Sequence, residues 1–178
     1  MRALVVYESM YGNTHEIAEH IAAGLRSAPG VEAEAVSVDG ASARRIADVD
    51  LLVVGGPTHV HGLASGHTRA TAWREVDSPG STLQLDPAAH DSGLREWLDA
   101  LAPGGGRAAA AFDTRLAGAA ILTGRASHAI GKRLHRKGFD VVADDASFLV
   151  DHANTLLPGM AARAEQWGQL LAKPPLSD

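Results

Sequence analysis

Residues 5–18 read VVYESMYGNTHEIA, and this stretch decides the fold that we expect for the 178-residue chain. Ala3 to Tyr7 is a short, apolar and β-branched run, which is typical of a parallel strand buried on both faces. Asn13 follows as the expected N-cap of a helix, with Glu16 three residues later in a capping-box arrangement. The loop between strand and helix therefore ends at a helix N-terminus, where unpaired N–H groups and the helix dipole favour an anion such as a phosphate.

Polar side chains in the same loop strengthen this prediction. Ser9, Asn13 and Thr14 each carry a hydrogen-bond donor. No Lys or Arg lies between residues 8 and 14, so backbone and neutral side-chain donors would have to hold the phosphate. The loop is therefore expected to bind an anion without a cationic side chain.

Strand and helix patterns alternate along the rest of the chain. We expect further strands over 31–38, 50–54, 107–112 and within 139–150, with a break in the last one at Asp144-Asp145. Helices are expected over 94–101 and 127–137, and from Pro158 to Leu171. Five βα units in series predict an α/β fold with a doubly wound five-stranded parallel sheet.

The predicted domain organisation is simple apart from one segment. Residues 1–172 are expected to form a single domain, followed by a tail at 173–178. Residues 57–92 form a long irregular insertion after the third strand, with a helical turn expected around Thr68 to Glu75. Insertions of this length are commonly functional.

Composition limits the chemistry of the chain. Its net charge is −5, which gives no reason to expect nucleic-acid binding. It has no cysteine, so disulfides, iron–sulfur clusters and thiol nucleophiles are excluded, and redox chemistry would need a bound cofactor. No apolar run approaches the length of a membrane span and no signal peptide is visible, so we expect a cytoplasmic protein.

Histidines in the insertion raise the question of a metal site. His59 and His61 form an H-x-H pair, and neutral imidazoles are good zinc ligands. No cysteine or clearly spaced carboxylate completes a ligand set. We therefore assign no metal site.

Three loops leave the carboxyl ends of the predicted strands, where ligands bind in open parallel sheets. They cover Glu8 to Asn13, Pro57 to Gly62 and Asp113 to Gly118. All three contain glycine and polar residues. This edge of the sheet is therefore the expected binding site.

These loops are where the sequence resembles the flavodoxin family. Residues 5–18 match the family signature in order: two aliphatic residues, an aromatic, a Ser or Thr, a small residue, a Thr, and an Ala that closes the first helical turn. The resemblance continues through residues 55–59, 93–98 and 112–115 to the last helix. It implies a five-stranded parallel sheet with non-covalent FMN, which carries electrons to or from a redox partner protein or a small-molecule donor or acceptor.

By that resemblance, three groups of residues contact FMN, and no residue is assigned a catalytic role. The phosphate lies in a loop made of Ser9, Met10, Tyr11, Gly12, Asn13 and Thr14. One side of the isoalloxazine ring is flanked by Pro57, Thr58, His59, Val60, His61 and Gly62. The other side is flanked by Phe112, Asp113, Thr114, Arg115 and Gly118.

Two departures from the family pattern leave the function open. The ring-flanking loops offer His59, His61, Arg115 and Leu116 instead of aromatic stackers, with Trp73 as another candidate. The net charge of −5 is modest for a simple electron shuttle. An FMN-binding electron carrier is the leading interpretation. The alternatives are an NAD(P)H- or quinone-linked FMN oxidoreductase, of the quinone-reductase or protoporphyrinogen-oxidase type, and a flavin-free binding or regulatory module.

Overall fold

The structure is a computed structural model, and its centre is a mostly parallel sheet with helices on both faces. The strands are β1 (Arg2–Tyr7), β2 (Glu32–Ser37), β3 (Leu51–His59), β4 (Gly62–Leu63), β5 (Ala108–Leu116), β6 (Asp140–Val141) and β7 (Ala146–Val150). The helices are α1 (Asn13–Arg26), α2 (Ala43–Ala47), α3 (Leu94–Ala100), α4 (Ala126–Arg136) and α5 (Met160–Leu171), with a 3-10 turn at Val38–Gly40. The structure describes residues 1–59, 62–63, 73–74, 76–78, 80–81, 83–89, 93–119 and 124–173.

The strand order confirms the predicted five-stranded parallel sheet. β2, β1, β3 and β5 lie side by side in that order, and β6 and β7 both pair with β5 in parallel. β6 and β7 are therefore two pieces of one edge strand, separated by residues 142–145. This is the break expected at Asp144-Asp145. The two-residue β4 adds an antiparallel pair to the end of β3.

Both faces of the sheet are buried, which explains the continuous apolar runs. Leu4, Leu52 and other residues of one face pack with side chains from α2, α3 and α4. Val5, Val53 and other residues of the opposite face pack with side chains from α1 and α5. The central strands β1 and β3 therefore have no polar face over their apolar runs, as is usual for parallel sheets covered by helices, whereas the edge strand β2 exposes Glu32 and Glu34.

The two helices on one face, α1 and α5, approach each other very closely. Gly24 of α1 lies against the backbone of Glu165 and Gln169, and Gly168 of α5 lies against the backbone of Ile21. A Cβ atom at either glycine would overlap a carbonyl oxygen of the other helix. Glycine is therefore required at this crossing, which fixes α1 and the loop that leads into it.

Two strands extend beyond their predicted ends. β3 continues from Val54 to His59, because β5 and β4 supply partners for its last residues. β5 continues from Phe112 to Leu116, because β7 pairs with that part of it. The described part of the Pro57 to Gly62 loop is therefore the end of β3 and the first residue of β4. Much of the helical turn expected around Thr68 to Glu75 lies outside the described residues.

Candidate functional site

The carboxyl ends of β1, β3 and β5 lie side by side, since these strands are neighbours in the sheet. The three loops singled out in the sequence therefore leave the same edge. The first of them, which we call the phosphate loop, comprises Ser9–Thr14 and joins β1 to α1. Its most distinctive feature is the way in which α1 begins.

The phosphate loop ends in an uncapped helix N-terminus. Gly12 is the N-cap, with φ 93°, and no side chain caps the helix. Its carbonyl accepts from the Glu16 N–H at 2.9 Å, while its own N–H donates to Ser9 Oγ at 3.1 Å. Within the described residues, the N–H groups of Asn13, Thr14 and His15 donate to no protein group. Three donors at the positive end of a helix dipole suit an anion.

Gly12 also leaves space for a ligand. A Cβ built on it would have no atom within 4 Å, among the described residues. The prediction that Asn13 is the N-cap was wrong, because the left-handed conformation of Gly12 starts the helix one residue earlier. The backbone conformation and the open space both fit the phosphate end of FMN.

The side chains of the first helical turn contact other parts of the chain instead of capping the helix. Asn13 Nδ2 donates to the carbonyl oxygen of Asn154 at 2.9 Å and to its Oδ1 at 3.1 Å. Thr14 Oγ1 lies 2.7 Å from Thr114 Oγ1, and both threonines are buried. The phosphate loop is thereby tied to the loop after β7 and to the end of β5.

A third contact with the phosphate loop comes from the insertion, and no sequence pattern predicted it. The Asp86 N–H donates to the carbonyl of Met10 at 2.8 Å, and Asp86 Oδ2 lies 3.2 Å from His15 Nδ1. The ring of His15 stacks on that of Tyr7, with centroids 4.6 Å apart. Burial, with the nearby charges of Asp86 and Glu19, raises the pKa of the Tyr7 hydroxyl to about 12. Tyr7 is therefore neutral beneath the loop at physiological pH.

Glu8 connects the start of the phosphate loop to the helix that follows the insertion. Its side chain is buried, and Oε2 accepts from the N–H of Leu94, the first residue of α3, at 3.0 Å. A carboxylate at a helix N-terminus is electrostatically favourable. The β1–α1 unit therefore bonds to the chain at two points, Asp86 near the end of the insertion and Leu94 just after it.

Two of the predicted cofactor-contacting residues have side chains that bond to the protein itself. Thr58 Oγ1 accepts from the N–H of Ala126 at 2.9 Å, and Asp113 Oδ2 accepts from the N–H and the hydroxyl of Ser127, both at 2.9 Å. These two side chains cap the N-terminus of α4, which aligns the two ring-flanking loops. Asp113 is fully buried, so its side chain does not face a ligand at the surface.

Phe112 also belongs to the interior. It is fully buried and packs edge-to-face against Phe148 and Trp167, with ring centroids 6.3 and 6.4 Å away. Gly55 makes room for its ring, since a Cβ there would overlap the tip of Phe112. The ring of Phe112 therefore belongs to the core, and the expected contact of this residue with the flavin stays a prediction.

The loop after β5 is organised by Arg115. Its guanidinium Nη1 donates to the carbonyls of Leu116 at 3.2 Å and Gly118 at 3.0 Å. Arg115 is 9% exposed, whereas Leu116 is 43% exposed. The end of β5 therefore presents the apolar side chain of Leu116 to its surroundings and turns the guanidinium of Arg115 inward.

Some predicted residues are not placed. Val60 and His61 lie outside the described residues, as does the side chain of His59. Trp73 is described, and 41% of its surface is exposed. Their expected contacts with the flavin remain predictions. Within the described residues, no helix is long and apolar enough to cross a membrane.

Comparisons with known proteins agree with this geometry. The family model for flavodoxin matches residues 5–96, which include the phosphate loop and the end of β3. A flavodoxin from Aquifex aeolicus (strain VF5) is 35% identical over 83 residues, which are 43% of this chain and 44% of that protein. The alignment therefore spans less than half the length of this relative.

Solved structures match over nearly the whole chain. A flavodoxin from the domain Archaea has a TM-score of 0.66 at 20% identity and covers 97% of this chain and 96% of its own. Flavodoxin 1 from Bacillus cereus has a TM-score of 0.63 at 21% identity, with 94% and 95% covered. At these identities the likeness shows the fold alone.

Proposed function

The chain belongs to the flavodoxin family, and on this premise we propose that it carries electrons through an FMN held at the edge of the sheet where β1, β3 and β5 end. Flavodoxins bind FMN, and bound flavin supplies the redox chemistry. The observation that carries the proposal is the uncapped N-terminus of α1, whose three unpaired N–H groups lie in the loop that the family signature marks.

The phosphate loop would hold the phosphate of FMN by backbone groups. The N–H groups of Asn13, Thr14 and His15 converge at the end of the helix, and the Ser9 hydroxyl, which accepts from Gly12, keeps its own proton for a further bond. No Lys or Arg occurs in the loop. Hydrogen bonds to an ionised group are stronger than neutral ones, so several backbone donors suffice.

The ring of the flavin would lie between the end of β3 and the end of β5. Leu116 supplies an exposed apolar surface on the β5 side. Arg115 holds that loop by its carbonyl contacts and brings a positive charge into it. A cation near the ring favours the more electron-rich form of the flavin, so Arg115→Leu should lower the midpoint potential.

The purified protein gives the first test. We expect it to contain FMN, or to bind added FMN once stripped, with one flavin per chain. Under anaerobic conditions, an electron carrier keeps its flavin absorbance when NADH or NADPH is added and loses it when a flavodoxin reductase is also present. Bleaching by NAD(P)H alone would instead support the oxidoreductase alternative.

Two glycines provide a matched pair of variants. Gly12 and Gly30 both have positive φ, at 93° and 72°, and neither has an atom within 4 Å of a built Cβ among the described residues. Alanine therefore imposes a similar backbone strain at both sites. Gly12→Ala should weaken FMN binding by about tenfold or more, because it distorts the phosphate loop, and Gly30→Ala should not. Failure of the parent protein to bind FMN would overturn the proposed function.

A further inference from the structure

The first turn of α1 is held from outside at each of its three donor residues. Asn13 contacts Asn154, Thr14 contacts Thr114, and His15 contacts Asp86. These are the residues whose N–H groups have no partner within the described chain. Of the three residues that make these outside contacts, Asn154 has the most unusual backbone conformation.

Asn154 has a backbone conformation that fits a specific task. Its φ of 60° is positive, and among the described residues it is the sole non-glycine with positive φ. Asparagine tolerates this region better than other non-glycine residues. A glycine would adopt it with less strain but would lack the side-chain carbonyl that accepts from Asn13. The choice of asparagine therefore combines the backbone shape with the second hydrogen bond.

The loop around Asn154 is itself fixed. The Asn154 N–H donates to the carbonyl of Asp151 at 3.1 Å, and the Thr155 N–H donates to Asp151 Oδ1 at 2.9 Å. The Asp151 N–H also donates to the carbonyl of Thr155 at 2.9 Å, and Val150 and Leu156 form an antiparallel β-bridge. Asn154 therefore presents its two acceptors to Asn13 from a rigid support attached to β7.

We propose that Asn154 is a positioning residue that holds Asn13 from the loop after β7, so that the phosphate loop is aligned for the phosphate of FMN before the cofactor binds. Asn13 Nδ2 lies within hydrogen-bonding distance of both acceptors, at 2.9 Å and 3.1 Å. The side chain of Asn13 is thereby held to the loop after β7. The inference rests on the proposed function, because it assigns the loop to the phosphate of FMN.

The test compares ligands with and without the rest of the flavin. Flavin-free protein is prepared for the parent, Asn154→Ala, Asn154→Gly and the control His152→Ala, a change at an exposed residue of the same loop. The dissociation constant of FMN is measured by fluorescence quenching. The rise in unfolding temperature caused by inorganic phosphate is measured on the same samples, because a ligand that binds the folded state stabilises it.

Asn154→Ala should raise the dissociation constant of FMN by about tenfold and reduce the stabilisation by phosphate. Asn154→Gly keeps the backbone shape and the main-chain acceptor, so its effects should be smaller but in the same direction. In the absence of phosphate, Asn154→Gly should unfold at the same temperature as the parent. Weaker ligand binding by this variant would then result from misalignment of the loop and not from a general loss of stability. The control should match the parent in both measurements.

Two outcomes would overturn the inference. One is that Asn154→Gly, or a folded Asn154→Ala, binds FMN and phosphate as tightly as the parent. The other is that His152→Ala weakens both ligands equally. If the parent itself fails to bind FMN, the proposed function fails instead. The two failures are therefore distinguishable.

Discussion

Replacing Gly168 with alanine tests how closely α1 and α5 must approach. A Cβ at Gly168 would lie 3.1 Å from the carbonyl carbon of Ile21 and 3.1 Å from the nitrogen of Leu25, and nearer still to the Ile21 oxygen. These are backbone atoms in the middle of a helix, so they cannot rotate away. The helices would have to separate, and overpacking of this kind costs about 1–3 kcal/mol.

Gly131→Ala is the matched control, since Gly131 also lies inside a helix. The nearest atom to a Cβ there is Cβ of Ala111, at the ordinary contact distance of 3.8 Å. Both substitutions gain about 1 kcal/mol of helix propensity. Gly131→Ala should therefore stabilise the protein slightly. Gly168→Ala should be less stable than Gly131→Ala by the cost of the overlap alone, about 1–3 kcal/mol.

The assay is urea and thermal unfolding of both flavin-free variants alongside the parent. For a protein of this size, a difference of 1 kcal/mol shifts the unfolding temperature by about 2–4 °C. The two variants should therefore differ by about 2–12 °C, with Gly131→Ala the higher. Equal unfolding temperatures would show that the helices have room at the crossing, and the close approach described here would be refuted.

Three further predictions concern the site. Thr114→Val removes the partner of the buried Thr14 hydroxyl, so the free energy of unfolding should fall by about 1–3 kcal/mol in urea titrations; an unchanged value would mean the bond contributes nothing. Asp113→Ala leaves the N–H of Ser127 without an acceptor, while the Ser127 hydroxyl keeps Asp145 Oδ2 at 3.0 Å, and should destabilise the protein by about 1–2 kcal/mol, a loss that unaltered urea unfolding would disprove. In an alkaline absorbance titration, the difference between the parent and Tyr7→Phe should show an ionisation at about pH 12. Because that pKa is raised on folding, the stability it provides is complete below pH 10 and declines as the pH rises toward 12; a step at pH 10 would contradict this.

The sequence was informative where a feature depends on neighbouring residues. The break in the edge strand was expected at Asp144-Asp145, and β6 ends at Val141 while β7 begins at Ala146. A pair of acidic residues inside an otherwise apolar run disfavours a buried strand, and this effect is local. The alternation of strands and helices likewise follows from local apolar patterns, so the order of layers was predicted correctly.

The sequence failed where a side chain's partner lies far along the chain. Asn13 was expected to cap its own helix, but its amide bonds to Asn154, 141 residues away. Asp113 was expected to flank the flavin, and no local pattern indicated that its side chain also caps α4 through Ser127. The tie from Asp86 to the phosphate loop was missed for the same reason. Local capping rules compare residues a few positions apart, and these partners are chosen by the packing of the whole sheet.

A crystal structure of the FMN-loaded protein tests the central claim most directly. The phosphate oxygens should lie about 3 Å from the backbone nitrogens of Asn13, Thr14 and His15, with the loop and the Asn13–Asn154 contact unchanged from the structure described here. FMN with its phosphate elsewhere on the protein, or a phosphate loop that has to refold to reach it, would contradict the account.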